Sequence, residues 1–199
     1  MSRVALLACG ALAKETAEIV RRRGWDADVH GVSAFHHMMP PRIVEEVDRE
    51  LSALCERYNR IVVVYGDCGT GGRLDEVIAR YPAARPAGVH CYQWFVQETP
   101  EEIVEERTGT YFLTDWLVRN WDLAVVRGLG LDRFPWLKDI YFEALTDVLY
   151  LRQDPDPALA DQAREIAAYL GLPIEIRDTG LRPLEEQLAP LMAEADVRA

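Results

Sequence analysis

Lysine is almost missing from this chain: Lys14 and Lys138 stand alone among 22 basic residues. Against 33 Asp and Glu the formal net charge is −11. A surface so short of positive charge repels the phosphate backbone and anionic lipid headgroups alike. Neither nucleic acid nor a membrane surface is therefore an expected partner. No apolar run approaches the ~20 residues of a membrane span. Gly/Ser-rich and Pro-rich linkers, internal repeats and low-complexity tracts are lacking too. At 199 residues the expectation is one α/β domain over residues 1–194 and a disordered tail at 195–199. Leu6-Leu7-Ala8-Cys9 resembles a lipoprotein cleavage site, but no charged region and apolar core precede the cysteine. A cytoplasmic protein is expected, in which thiols stay reduced. Nucleotide signatures fail as well: GxGxxG does not occur, and the P-loop pattern breaks because Arg73, not lysine, follows Gly72.

What is present is an alternation of strand and helix. Val4–Ala8 is a short apolar run, and Leu12–Arg23 carries apolar residues on one helical face until Gly24 stops it. Asp28–Val32 reads as a weak strand. Ile43, Val47, Leu51, Leu54 and Tyr58 recur at helical spacing over Arg42–Asn59. Ile61-Val62-Val63-Val64 is the clearest strand, and its unbroken β-branched run implies burial on both faces of a parallel sheet. A helix over Leu74–Arg80 and a fourth strand over Ala87–Cys91 follow. Thr99-Pro100-Glu101-Glu102 opens a short acidic helix. Leu113–Leu129 and Pro135–Leu145 read as helices, a helical insert before a fifth strand at Asp147–Arg152. Pro157–Leu170 is helical, Pro173–Arg177 strand-like and Leu181–Ala193 helical. The alternation predicts an α/β fold, a mainly parallel sheet with helices on both faces.

Four cysteines in a reducing compartment are ligands, nucleophiles or small buried residues rather than disulfides. Cys9, Cys68 and Cys91 share one context, each closing a predicted strand. In open parallel sheets ligands bind outside the carboxyl ends of the strands. Neighbouring strand ends lie ~4.8 Å apart, so three such cysteines can converge on one metal with Zn–S bonds of ~2.3 Å. A fourth position would fall to Glu15, His90, His36, His37 or water. Alternation along a strand turns His90 away from Cys91, which weakens it as a ligand to the same ion. Convergence requires strands one, three and four to be neighbours. No CxxC pair is present, so plain burial and a reactive thiol remain open beside metal binding. Cys55, within a helix beside Leu54, is assigned to the core or to a helix surface.

Gly66-Asp67-Cys68-Gly69-Thr70-Gly71-Gly72 offers a second reading. A glycine-rich strand-to-helix turn exposes backbone N–H groups, so Gly66, Gly69, Gly71 and Gly72 could cradle a carboxylate or phosphate, with Arg73 adding charge. Glycines that merely allow a tight turn are the plainer alternative. Tyr111-Phe112-Leu113-Thr114-Asp115-Trp116 reads as core packing, or as a lid over the ligand, with Thr114 or Asp115 capping the next helix. The acidic run Glu98–Glu106 reads as a solvated helix face.

Ala8-Cys9-Gly10 with Glu15, Tyr65-Gly66-Asp67-Cys68-Gly69, His90-Cys91 and Tyr111–Trp116, in this order, resemble the bacterial and archaeal family catalogued as domain of unknown function 1638. The residues matching its pattern are Cys9, Gly10, Glu15, Gly66, Cys68, Gly69, His90, Cys91 and Thr114. The resemblance implies a place beside corrinoid-dependent methyltransferase components in one-carbon metabolism. It strengthens a zinc or iron site of Cys9, Cys68 and Cys91, with Glu15 or His90 near it, acting on a small thiol or methyl donor. A small-molecule binding module without chemistry of its own, using the Gly66–Gly72 loop for an anionic group, and a scaffold for a methyltransferase complex are the other functions left open.

Overall fold

Val4–Cys9 (β1) contains no charged side chain and every residue in it is buried. The same holds for Ile61–Val64 (β3), and burial of this kind belongs to strands covered on both faces. In a computed structural model of the chain, which describes residues 4–96 and 107–197 with side chains as far as Ala193, these two runs are the central strands of a four-stranded parallel sheet. Its order is β2-β1-β3-β4, with β2 at Ala27–Val32 and β4 at Ala83–Ala84. The register pairs Leu6 with Val29 on one side and with Val62 on the other. Helix α1 (Ala13–Arg23) packs on β1 and β2, and α2 (Pro40–Leu54) on β1. Pro40 and Pro41 occupy the first turn of α2, where a missing N–H costs nothing. Its buried residues, Ile43, Val47, Leu51 and Leu54, recur at helical spacing. Between β2 and α2 lies a 3-10 turn, Ala34–Met38; after β3 comes α3 (Arg73–Ile78), and a second 3-10 turn spans Cys91–Phe95.

The chain divides into two compact units, one of residues 1–94 with 181–199 and one of residues 95–180. The second unit has its own three-stranded parallel sheet, β5-β6-β7, from Thr110–Thr114, Asp147–Arg152 and Ile174–Asp178. Short helices α4 (Asp115–Arg119) and α5 (Leu137–Tyr141) flank a π-helical stretch at Asp122–Arg127. Helix α6 (Pro157–Leu170) starts at Asp156, whose side chain accepts a bond from the Ala158 amide, and its C-cap is Gly171. A core of Leu113, Val118, Trp121, Val125, Val148, Tyr150 and Ile166, with their neighbours, fills this unit. Helix α7 (Arg182–Val197) belongs to the first unit.

The α/β class and parallel pairing are as expected, but the strands fall in two sheets rather than one. The fourth strand is Ala83–Ala84, not Ala87–Cys91. Pro86 lacks an amide for a ladder, Gly88 has φ +142°, and the Arg85 guanidinium takes up the carbonyls of Pro86 and Gly88. Leu113 and Thr114 belong to a strand, not to the start of a helix: Thr110 to Thr114 pair in register with Asp147 to Leu151, and Leu113 with Tyr111 packs in the core of the second unit, as core packing predicts. The segment before Asp147 is therefore not a purely helical insert. The expected helix at Thr99–Glu102 and the acidic run Glu98–Glu106 lie outside the described residues. So do residues 198 and 199 of the expected tail, whose residues 195–197 are the last of α7. Among the described residues no helix is long and apolar enough to cross a membrane.

Candidate metal centre

Three segments of the first unit meet beyond the ends of β1 and β3. One is the 3-10 turn after β2, which carries His37. The second is the turn after β3, which carries Cys68. The third is the start of the second 3-10 turn, which carries Cys91. The ligand atoms of His37, Cys68 and Cys91 all lie within 4.8 Å of one another, and each residue is partly buried. A tetrahedral zinc site with bonds of ~2.0–2.3 Å has edges of roughly 3.5 Å, so small side-chain rotations would close the three onto one ion.

Backbone contacts hold the segments together. The Cys68 amide donates to the Val89 carbonyl (2.8 Å) and the Asp67 amide to that of Gly88 (3.3 Å). Gly66 is the point of closest approach: a Cβ there would stand 2.9 Å from the Cys91 nitrogen and 3.1 Å from the Val89 oxygen. A side chain at 66 would wedge Cys68 and Cys91 apart. Cys68 itself has φ +47°, the sole non-glycine in the left-handed region among the described residues, a conformation that costs energy and recurs at functional sites.

Two residues that the sequence reading missed fix the Cys91 segment. Arg85 grips Asp75 through two nitrogens (2.6 and 2.7 Å) and turns its remaining nitrogen to the carbonyls of Gly88 (3.0 Å) and Tyr65 (3.5 Å). The buried Gln93 accepts from the amides of Val89 (3.0 Å) and His90 (2.9 Å) through one oxygen. The signal available was the pairing of Arg85 with Pro86 and of Gln93 with Trp94 around the cysteine, too common to single out.

The electrostatics favour ligation. His37 Nδ1 sits 2.7 Å from the Ala34 carbonyl, so it donates there and leaves Nε2 as the nitrogen to ligate, the arrangement usual in metal-bound histidines. Burial works against the imidazolium, yet contact with Cys68 and the bond to Ala34 raise its pKa on balance. The Cys91 thiol donates to Cys68; that bond, with help from His37 and against burial, pushes Cys68 well below the ordinary thiol range. Cys91 keeps its proton for the same reason, reinforced by burial, and is raised. One thiolate is thus prepared, and binding of a divalent ion would release the Cys91 proton.

Of the residues expected at the site, Cys68 and Cys91 come together, and His37, named with His36 as a source of the fourth ligand, completes the group. Cys9, Glu15 and His90 do not join it. Cys9 ends β1 with no exposed surface; its sulfur accepts from the Ala11 amide (3.4 Å), and burial pushes its thiol up to about 12. Glu15 is buried in the first turn of α1. The His90 ring stacks on Tyr92 (centroids 5.1 Å apart). Cys55 is on the surface, its thiol donating to the Ser52 carbonyl. Thr114 lies in the second unit, where its hydroxyl accepts from the Leu117 amide (3.5 Å) and caps α4.

The glycine loop does not hold its amides open for an exogenous anion. Asp67 accepts from the Thr70 hydroxyl and from the amides of Gly71 (3.0 Å) and Gly72 (2.9 Å). Burial works against this carboxylate, but those bonds and the charge of Arg85 hold its pKa below the usual range. Arg73 donates to the Thr70 carbonyl (3.1 Å). Gly66 and Gly69 serve close packing, Gly69 against Pro40.

Residues 32–188 match the family model described as Protein of unknown function (DUF1638). No curated protein and no solved structure matches the chain.

Proposed function

From the premise that the chain belongs to the family described as Protein of unknown function (DUF1638), we propose that it is a metal-binding protein whose centre is His37, Cys68 and Cys91. The observation that carries this reading is the convergence of three soft donors from three separate segments within 4.8 Å. Two thiolates and an imidazole suit Zn²⁺ first and Fe²⁺ second. Three protein ligands leave one position of a tetrahedron for water or substrate, as at catalytic rather than purely structural zinc sites. A metal there would supply Lewis acidity and lower the pKa of whatever oxygen or sulfur it binds. The chain's own residues hold the geometry: Ala34 orients the imidazole, Val89 anchors Cys68, and Arg85 with Gln93 sets the segment of Cys91.

The finer reading places this centre in one-carbon metabolism, acting on a small thiol or methyl donor beside corrinoid or methyltransferase proteins. Its support is the family resemblance alone. An accessory, docking role gains one further support, the exposed apolar side chains Phe134, Trp136, Ile140 and Tyr141 of the second unit. Co-purification of corrinoid or methyltransferase proteins with the chain is the expected result. A chain recovered alone from a cell containing those proteins counts against the partner reading.

The metal reading is tested by elemental analysis of protein purified under reducing conditions without chelator, beside Cys68→Ser and Cys91→Ser variants. Close to one zinc or iron per chain is expected in the parent and little in either variant. Equal metal in all three, or none in the parent after reconstitution, refutes it.

A further inference from the structure

Tyr58 and Tyr150 are buried and donate their hydroxyls to carboxylates, Tyr58 to Asp28 (2.6 Å) and Tyr150 to Asp115 (2.7 Å). Tyr65 breaks this pattern. Its residue has no exposed surface, and its hydroxyl oxygen is buried with no oxygen or nitrogen partner; only the Cys9 sulfur lies within hydrogen-bonding reach. A buried hydroxyl left unpaired is costly, and such a group in a folded protein points to a ligand or water that satisfies it.

The position of this hydroxyl indicates what that partner is. Tyr65 directly follows β3, three residues before Cys68. Its ring stacks on His37, with centroids 5.5 Å apart and planes 16° from parallel. Its carbonyl is held by Arg85, which also holds the segment leading to Cys91. The thiols of Cys9, Cys68 and Cys91 all lie close to the hydroxyl, that of Cys9 within hydrogen-bonding reach. Sulfur is a weak acceptor, so the thiols do not satisfy an O–H donor well. Among the described residues no fourth His, Cys, Asp or Glu atom joins the group of His37, Cys68 and Cys91. One coordination position is left over, and beside it stands a buried donor whose one acceptor, the Cys9 sulfur, is weak.

We propose that the Tyr65 hydroxyl donates a hydrogen bond to the exogenous fourth ligand of the metal, and that this ligand is an oxygen anion, either metal-bound hydroxide or the carboxylate of a substrate. Tyr65 is then a positioning residue, and it favours oxygen over sulfur at the open position because an oxygen anion is the stronger acceptor. The inference rests on the metal reading above. It adds that the open position is selective.

Cobalt(II) is the probe, loaded into the full chain and into Tyr65→Phe, which keeps the ring stacked on His37 and removes only the oxygen. Thiolate-to-cobalt charge-transfer bands report the cysteines, and the d–d bands report the fourth ligand. Acetate titrated at fixed pH tests the carboxylate source; a pH titration without acetate tests hydroxide. In the parent at least one of these shifts the d–d bands. In Tyr65→Phe that response is expected to weaken about tenfold in acetate affinity, or to move about one pH unit upward, from loss of one charge-assisted bond. Metal-free Tyr65→Phe is expected to melt close to the parent, since the hydroxyl has only a weak sulfur acceptor to lose. Equal responses in the two proteins, or a metal-free variant that melts more than about 4 °C below the parent, overturn the role of Tyr65 and leave the metal reading standing. A parent whose d–d bands respond to neither titration overturns the oxygen ligand. A parent without charge-transfer bands overturns both readings.

Discussion

Replacing Gly66 by alanine perturbs the candidate centre without touching a ligand. Gly66 is not among the residues with positive φ, so alanine meets no backbone strain of its own, and the effect comes from contact alone. The new Cβ would lie 2.9 Å from the Cys91 nitrogen and 3.1 Å from the His90 carbonyl carbon and the Val89 oxygen. These are backbone atoms that cannot rotate away. To reach ordinary contact the Cys91 segment must retreat by about 0.5 Å, from 2.9 to 3.4 Å. Metal–ligand distances tolerate only ~0.2 Å. Overpacking of this kind costs about 1–3 kcal/mol. If most of it falls on the bound state, zinc affinity drops by roughly 10- to 100-fold. Competition against a chromophoric chelator measures that affinity directly. Gly71→Ala is the control. Its Cβ would meet nothing within 4 Å, but its φ of +65° strains any side chain. It should lose about 1 kcal/mol of stability and bind zinc like the parent. Equal zinc affinity in Gly66→Ala and the parent would refute the argument that Gly66 brings Cys68 and Cys91 together.

Other expectations separate the ligands from their surroundings. Cys9→Ser and Cys55→Ser should keep the metal content of the parent, and loss of metal from Cys9→Ser would return Cys9 to the ligand set. Asp67 has a lowered pKa in the fold, so its contribution to stability is present above the ordinary carboxylate range and is lost as pH falls through the lowered value. Denaturant midpoints across that window should fall for the parent and fall less for Asp67→Asn; equal slopes would contradict the role given to the carboxylate. In the second unit, Asp115 is buried and accepts from the Tyr150 hydroxyl (2.7 Å) and the amides of Gln153 (3.0 Å) and Asp154 (2.8 Å). Asp115→Asn turns an amide donor toward those donors and should cost about 3 kcal/mol. A loss below about 1 kcal/mol by denaturant unfolding would show that these bonds contribute little.

What the sequence revealed, and what it hid, follows from the range of the interactions. Helix α6 is legible to the residue because its signals are local: Asp156 caps, Pro157 starts and Gly171 stops it. The strand Ile61–Val64 is equally plain from its β-branched run. Strand Thr110–Thr114 was hidden because Leu113, Trp116, Leu117 and Asn120 continue a helical pattern. Pairing with Asp147–Leu151, more than thirty residues later, decides the matter. At the site, Cys68 and Cys91 were visible as thiols near expected strand ends, and β1 and β3 are neighbours as convergence required, but the expected strand closed by Cys91 did not form. The route was different: Cys91 does not close a strand, and reaches Cys68 through a loop shaped by Pro86, Gly88 and Arg85. His37 could not be preferred over Glu15 or His90 from spacing. The choice depends on the 3-10 turn that places its Nδ1 against Ala34 and its ring on Tyr65.

The zinc-loaded protein's X-ray absorption spectrum at the zinc edge tests the ligand set most directly. The account predicts two sulfur scatterers at ~2.3 Å, one imidazole nitrogen at ~2.0–2.1 Å and one further light atom. Three or four sulfurs, or a shell of oxygen and nitrogen without sulfur, would contradict it.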